Sequence, residues 1–129
     1  MRLIYIDSGL NRRAGHHYNI CKSIIAMSED YGIPIKILAH ADIPADMVAE
    51  LGAVPYFRYF TYWGTHPLRE SLQKFRTIEN TMYEELSRIS GLKSDDLVFV
   101  NSVMQPQLLV VARLACDLPL LLTSDPTRL

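Results

Sequence analysis

Short apolar runs alternate with longer segments of helical period along the whole chain. Leu3-Ile4-Tyr5-Ile6 opens the series, and Pro34-Ile35-Lys36-Ile37-Leu38-Ala39 follows. Val54-Pro55-Tyr56-Phe57-Arg58-Tyr59-Phe60, Asp96-Leu97-Val98-Phe99-Val100-Asn101 and Leu118 to Thr123 complete it. Continuous apolar runs suit parallel strands covered on both faces. Between them, helices are predicted over His16 to Tyr31, Ile43 to Gly52, Pro67 to Gly91 and Leu108 to Ala115. Leu68, Leu72, Phe75, Ile78, Met82, Leu86 and Ile89 recur at spacings of three and four, one apolar stripe. The order βαβαβαβαβ predicts an α/β fold. We expect a Rossmann-like, doubly wound sheet of about five parallel strands with helices on both faces. Pro55 assigns the third strand to a sheet edge.

A chain of 129 residues fits a single domain with a full hydrophobic core. Its net charge of -1 lacks the basic footprint of a nucleic-acid binder. Cys21 and Cys116 lie among apolar neighbours in predicted helices and read as buried, reduced thiols. The amino end lacks a signal-peptide layout. The apolar stretch from Leu108 to Leu122 is interrupted by Arg113, Asp117 and Pro119, so no transmembrane segment is expected. A cytoplasmic location follows, with peripheral attachment at the inner face of the membrane as its variant. The sequence stops at Ser124-Asp125-Pro126-Thr127-Arg128-Leu129, where another helix is expected, and reads as part of a longer, two-domain protein.

The most suggestive junction lies between the first strand and the first helix. There Ser8-Gly9-Leu10-Asn11-Arg12-Arg13-Ala14 leads into Gly15-His16-His17. Ligands of open parallel sheets bind outside the carboxyl ends of the strands. The G-x5-G-H-H spacing matches neither the dinucleotide fingerprint nor the P-loop. A phosphate or sugar hydroxyl could still meet the Gly15 backbone at the helix start, with Arg12 and Arg13 adding charge. The bland alternative is a glycine turn with two solvated arginines. Neighbouring helical residues point about 100° apart, so only one of His16 and His17 can face the strand ends. That spacing does not suit a shared metal ion, and no metal is expected. Asn101 and Ser102 end the fourth strand and offer hydrogen bonds to a polyol, or an N-cap to the next helix. Asp7, at the end of the first strand, fits either proton transfer or turn formation. Asp125 reads as structural. Tyr56 to Trp63 form an aromatic segment that could cover a sugar ring or pack against further protein. Asp95-Asp96 reads as a solvated turn.

These residues resemble the N-terminal half of a GT-B glycosyltransferase, close to the retaining family 4. The likeness rests on Leu3-Ile4-Tyr5-Ile6-Asp7, on Gly15-His16-His17-Tyr18-Asn19 opening a helix, and on Asp96 to Asn101. The resemblance implies two Rossmann-like domains facing a cleft, the N-terminal one chiefly holding the acceptor. It implies transfer of a sugar from a nucleotide-diphosphate sugar to a carbohydrate or lipid-linked acceptor, by front-face attack aided by the leaving phosphate. No cofactor is implied; the nucleotide-sugar is a co-substrate. His16 is the candidate catalytic residue. Gly15, His17, Asn101 and Ser102 are candidates for substrate contacts, and Gly15, Arg12 and Arg13 for phosphate. The domain that grips the donor is not in this sequence, so the isolated chain is expected to be inactive, and its exposed surface is expected to favour homo-dimers. The alternative is a non-catalytic flavodoxin-like module that binds a small anion, a nucleotide or a protein partner.

Overall fold

A computed structural model describes residues 1–58, 68–89, 91–101 and 105–117, with side chains of the last two helices described over 72–87 and 108–114. The elements run β1 (Leu3–Ile6), α1 (His16–Asp30), β2 (Ile35–His40), α2 (Ala45–Leu51), β3 (Ala53–Phe57), α3 (Leu68–Ser87), β4 (Leu97–Val100) and α4 (Gln105–Asp117). The strands pair in parallel in the order β3-β2-β1-β4. The chain winds outward from β1 to β3 and then returns to the other side of β1. That reversal makes the sheet Rossmann-like and creates a switch point between β1 and β4. Among the described residues the strand count is four, not about five. The fifth strand predicted over 118–123 lies outside them, as do most of the aromatic segment, Ser102 and Asp125.

The chain divides into two compact units, one holding the sheet with α1 and α2, the other holding α3 and α4. In the first, β1 is buried at all four positions, as its unbroken apolar run requires of a central strand. Tyr5, Ile37, Ala39 and Ala53 join Leu10, Cys21, Ile43, Met47 and Leu51 in one core. Both α1 and α2 therefore pack on the same face of β1, β2 and β3. Each large side chain so buried contributes about 1.5–3 kcal/mol. β3 lies at the sheet edge, where Pro55 withholds no ladder donor that a further strand would need.

Asp95 lies in the exposed turn expected, but Asp96 does not. The Asp96 side chain is 2% exposed and takes an ion pair from Arg2 at 2.8 Å, while Asp95 meets the terminal amine at 3.2 Å. The cause is register. Leu3 pairs with Leu97, so the residues before these two strands stand side by side.

In the second unit α3 and α4 pack on each other. Ile78, Met82, Leu86, Val110 and Leu114 are buried, whereas Leu72 of the predicted stripe is exposed. Arg113 meets Glu79 at 3.2 Å and lies 4.0 Å over the Tyr83 ring. α4 begins at Gln105, ahead of the apolar run that suggested Leu108. Pro106 then falls in the first helical turn, where a missing N–H breaks no helical bond. No helix of the described residues is long and apolar enough to cross a membrane.

Candidate functional site

At the switch point β1 and β4 stay paired to their carboxyl ends, and the residues just beyond them meet. Asp7 follows β1 and Asn101 follows β4. The ladder continues one step past both strands, with the Asn101 N–H donating to the Ile6 carbonyl at 2.9 Å. Ninety-four positions apart in sequence, the two side chains are thereby neighbours, and Asn101 Nδ2 donates to Asp7 Oδ2 at 3.0 Å.

Asp7 is completely buried. The Gly9 N–H donates to its Oδ1 at 3.0 Å, and the Tyr5 hydroxyl donates to its Oδ2 at 3.2 Å. His17 Nδ1 lies 2.8 Å from Oδ1 and 3.0 Å from Oδ2. Among the described residues no lysine or arginine pairs with this carboxylate. Its charge is met by neutral donors and one imidazole, which is how a buried carboxylate can be tolerated without a cation. Because the other groups facing the carboxylate are all donors, the ring nitrogen facing it is a donor as well. In the neutral ring the proton therefore sits on Nδ1, and Nε2 carries the lone pair.

The Asp7 charge also reaches its neighbours. Burial, and then the Asp7 carboxylate, hold the Tyr5 hydroxyl far above its ordinary value, so it stays a donor. Burial, and then Asp7, push the Cys21 thiol up to about 12. A thiol so placed is not a nucleophile at neutral pH. Cys21 is thus the buried, reduced thiol expected, while the Cys116 side chain lies outside those described.

His17 belongs to the first turn of α1, and Gly15 is the N-cap residue of that helix. Gly15 has φ 92° and ψ -176°, a conformation open to glycine and costly for other residues. No side chain caps this turn. His16 is exposed, with its ring centroid 4.1 Å from that of His17. The helical geometry thus turns His17 onto Asp7, with the exposed His16 ring beside it.

The two arginines of the loop do not gather at this site. Arg13 donates to Asp46 at 2.6 Å and to Glu50 at 3.1 Å on α2, and Arg12 is exposed. Those bonds hold the Asp46 carboxyl below its ordinary range, chiefly through Arg13. Glu50 is held low first by the Tyr18 hydroxyl, which donates to it at 2.6 Å, and then by Arg13. Arg13 thereby ties the first loop to α2.

Of the sequence candidates, then, the fold brings His17 and Asn101 together on Asp7, with Gly15 two residues from His17. His16 is exposed but its ring lies beside that of His17, Arg12 is exposed, and Arg13 is engaged on α2. Gly9 opens the G-x5-G-H-H motif, whereas Tyr5 is a participant that no motif announced. The available signal was positional: a carboxylate and an amide closing two strands that become neighbours. Among the described residues, no cluster of three His, Cys, Asp or Glu side chains could hold a metal ion.

No protein-family model matches the chain, and neither the curated proteins nor the solved structures contain a significant match to it.

Proposed function

We propose that this chain is the acceptor-side domain of a two-domain glycosyltransferase that moves a sugar from a nucleotide-diphosphate donor to an acceptor hydroxyl. The observation that carries the reading is the Asp7–His17 pair at the β1/β4 switch point, with Asn101 on the same carboxylate. An imidazole fixed by a buried carboxylate suits a hydroxyl that must lose its proton. The switch point is where an open parallel sheet receives a ligand. The G-x5-G-H-H junction, which resembles the same region of GT-B enzymes, supports the same assignment. In this reading the acceptor hydroxyl lies against His17. The uncapped first turn of α1 faces the donor diphosphate, whose charge suits a helix start. A separate nucleotide-binding domain holds the rest of the donor.

The test is amide NMR of the chain titrated separately with simple glycosides and with nucleoside diphosphates. Glycosides should perturb Gly9, His17 and Asn101, while nucleoside diphosphates bind weakly without a donor domain. Saturable binding of a nucleoside diphosphate, with no response to glycosides, would replace this reading with the flavodoxin-like binding module.

A further inference from the structure

Gly9 occupies an unusual place beside the Asp7–His17 pair. A Cβ added there would stand 2.6 Å from His17 Cε1, 2.8 Å from Nε2 and 3.1 Å from Nδ1. Carbon atoms pack at about 3.5–4.0 Å, so the ring would have to leave its position. The Gly9 N–H meanwhile donates to Asp7 Oδ1, the oxygen nearest His17 Nδ1. One residue thus orients the carboxylate with its backbone and makes room for the imidazole by having no side chain. Gly15 differs, since a Cβ there would meet nothing within 4 Å.

We propose that Gly9 is a positioning residue that holds the His17 ring against Asp7 and so fixes its Nδ1–H tautomer. The slot against Gly9 and the Asp7 carboxylate together hold Nδ1–H on Asp7. The use of that ring on a substrate rests on the glycosyltransferase reading above.

The first test uses the full chain with isotope-labelled histidine and reads the ring nitrogens by NMR. The neutral His17 ring should carry its proton on Nδ1 in the wild type. A proton on Nε2 would overturn the proposal. In Gly9→Ala the ring should give a mixture of tautomers, and an unchanged signature would count equally against it. The second test is thermal unfolding of Gly9→Ala with and without His17→Ala. The glycine substitution should lower Tm by about 5 °C or more in the wild-type background and by little once the ring is gone. A Gly9→Ala protein that folds only when His17 is also removed gives the same support. Equal losses in both backgrounds, or two unfolded proteins, would refute it. A chain with the expected tautomer that fails to bind glycosides would sink the glycosyltransferase reading and leave the role of Gly9 standing.

Discussion

The β1–β4 pair carries an aspartate at each of its two edges, and the two are held by opposite means. At the amino edge Asp96 is held in the guanidinium fork of Arg2, with bonds of 3.3 and 2.8 Å. A planar fork on a carboxylate neutralises its charge where it arises. At the carboxyl edge Asp7 receives a backbone N–H, an amide, a phenol and an imidazole. The first arrangement consumes the charge in holding two strands together. The second spreads it over four donors, one of them the imidazole of His17. Residue type alone does not separate the ion-paired carboxylate from the one held by neutral groups; the partner does.

The change that breaks this contrast most severely is Asp7→Ala. It strands the Gly9 N–H, the Asn101 amide and the Tyr5 hydroxyl in a buried place at once. Leaving a buried donor unsatisfied costs about 1–3 kcal/mol, so a loss of at least about 3 kcal/mol is expected in urea denaturation. In a transferase assembled with its donor domain, His17→Ala should lower kcat about 10²- to 10⁴-fold. If Asp7→Ala proved no more damaging than loss of Arg2, the two edges would not differ as argued.

Most of the sheet was legible because its signals are local. Leu3 to Ile6 and Leu97 to Val100 are apolar runs of strand length, and Pro55 marks an edge by its own chemistry. The site was less legible because its parts are local nowhere. Asp7 and Asn101 are 94 residues apart, and only the parallel register joins them. His16 and His17 look alike in a string of letters. What separates them is helical phase relative to a carboxylate whose burial the sequence does not display. The Arg13 contacts with α2 were hidden for the same reason. They depend on α1 and α2 sharing one face of the sheet.

A smaller effect sharpens the description of the carboxyl edge. Gly15→Ala should destabilise through torsion alone, because the φ of 92° penalises a side chain that would touch nothing. A cost of about 1–3 kcal/mol is expected. The His17 tautomer should persist in the folded variant. Change in the ring signals would mean that Gly15, and not only Gly9, sets the imidazole.

At the amino edge, Arg2→Met removes the fork from Asp96 while keeping an apolar stem. The urea midpoint should fall by less than in Asp7→Ala, and glycoside-induced amide shifts near His17 should be unaltered. A lost response at His17 would show that the two edges communicate, contrary to their separate roles.

The smallest expected effect concerns a second histidine at the carboxyl edge. His40 ends β2 and is 2% exposed. The Asp42 N–H donates to its Nδ1 at 3.0 Å, so in this ring Nδ1 is the acceptor and the proton belongs on Nε2. That tautomer is the reverse of the one assigned to His17. Burial lowers the His40 pKa and outweighs the opposing pull of Asp42. The unfolded chain therefore binds a proton at this residue near pH ~6.5, whereas the native chain resists it. Stability from this source is complete above that value and falls as pH drops towards the depressed native pKa. His40→Asn retains an acceptor at the δ position and removes the titration. Its urea midpoint should accordingly vary less between pH 7 and pH 5 than that of the wild type. An equally steep decline in both proteins would assign the acid sensitivity to another group. It would also remove the basis for treating His40 as the neutral, structural counterpart of the histidine on Asp7.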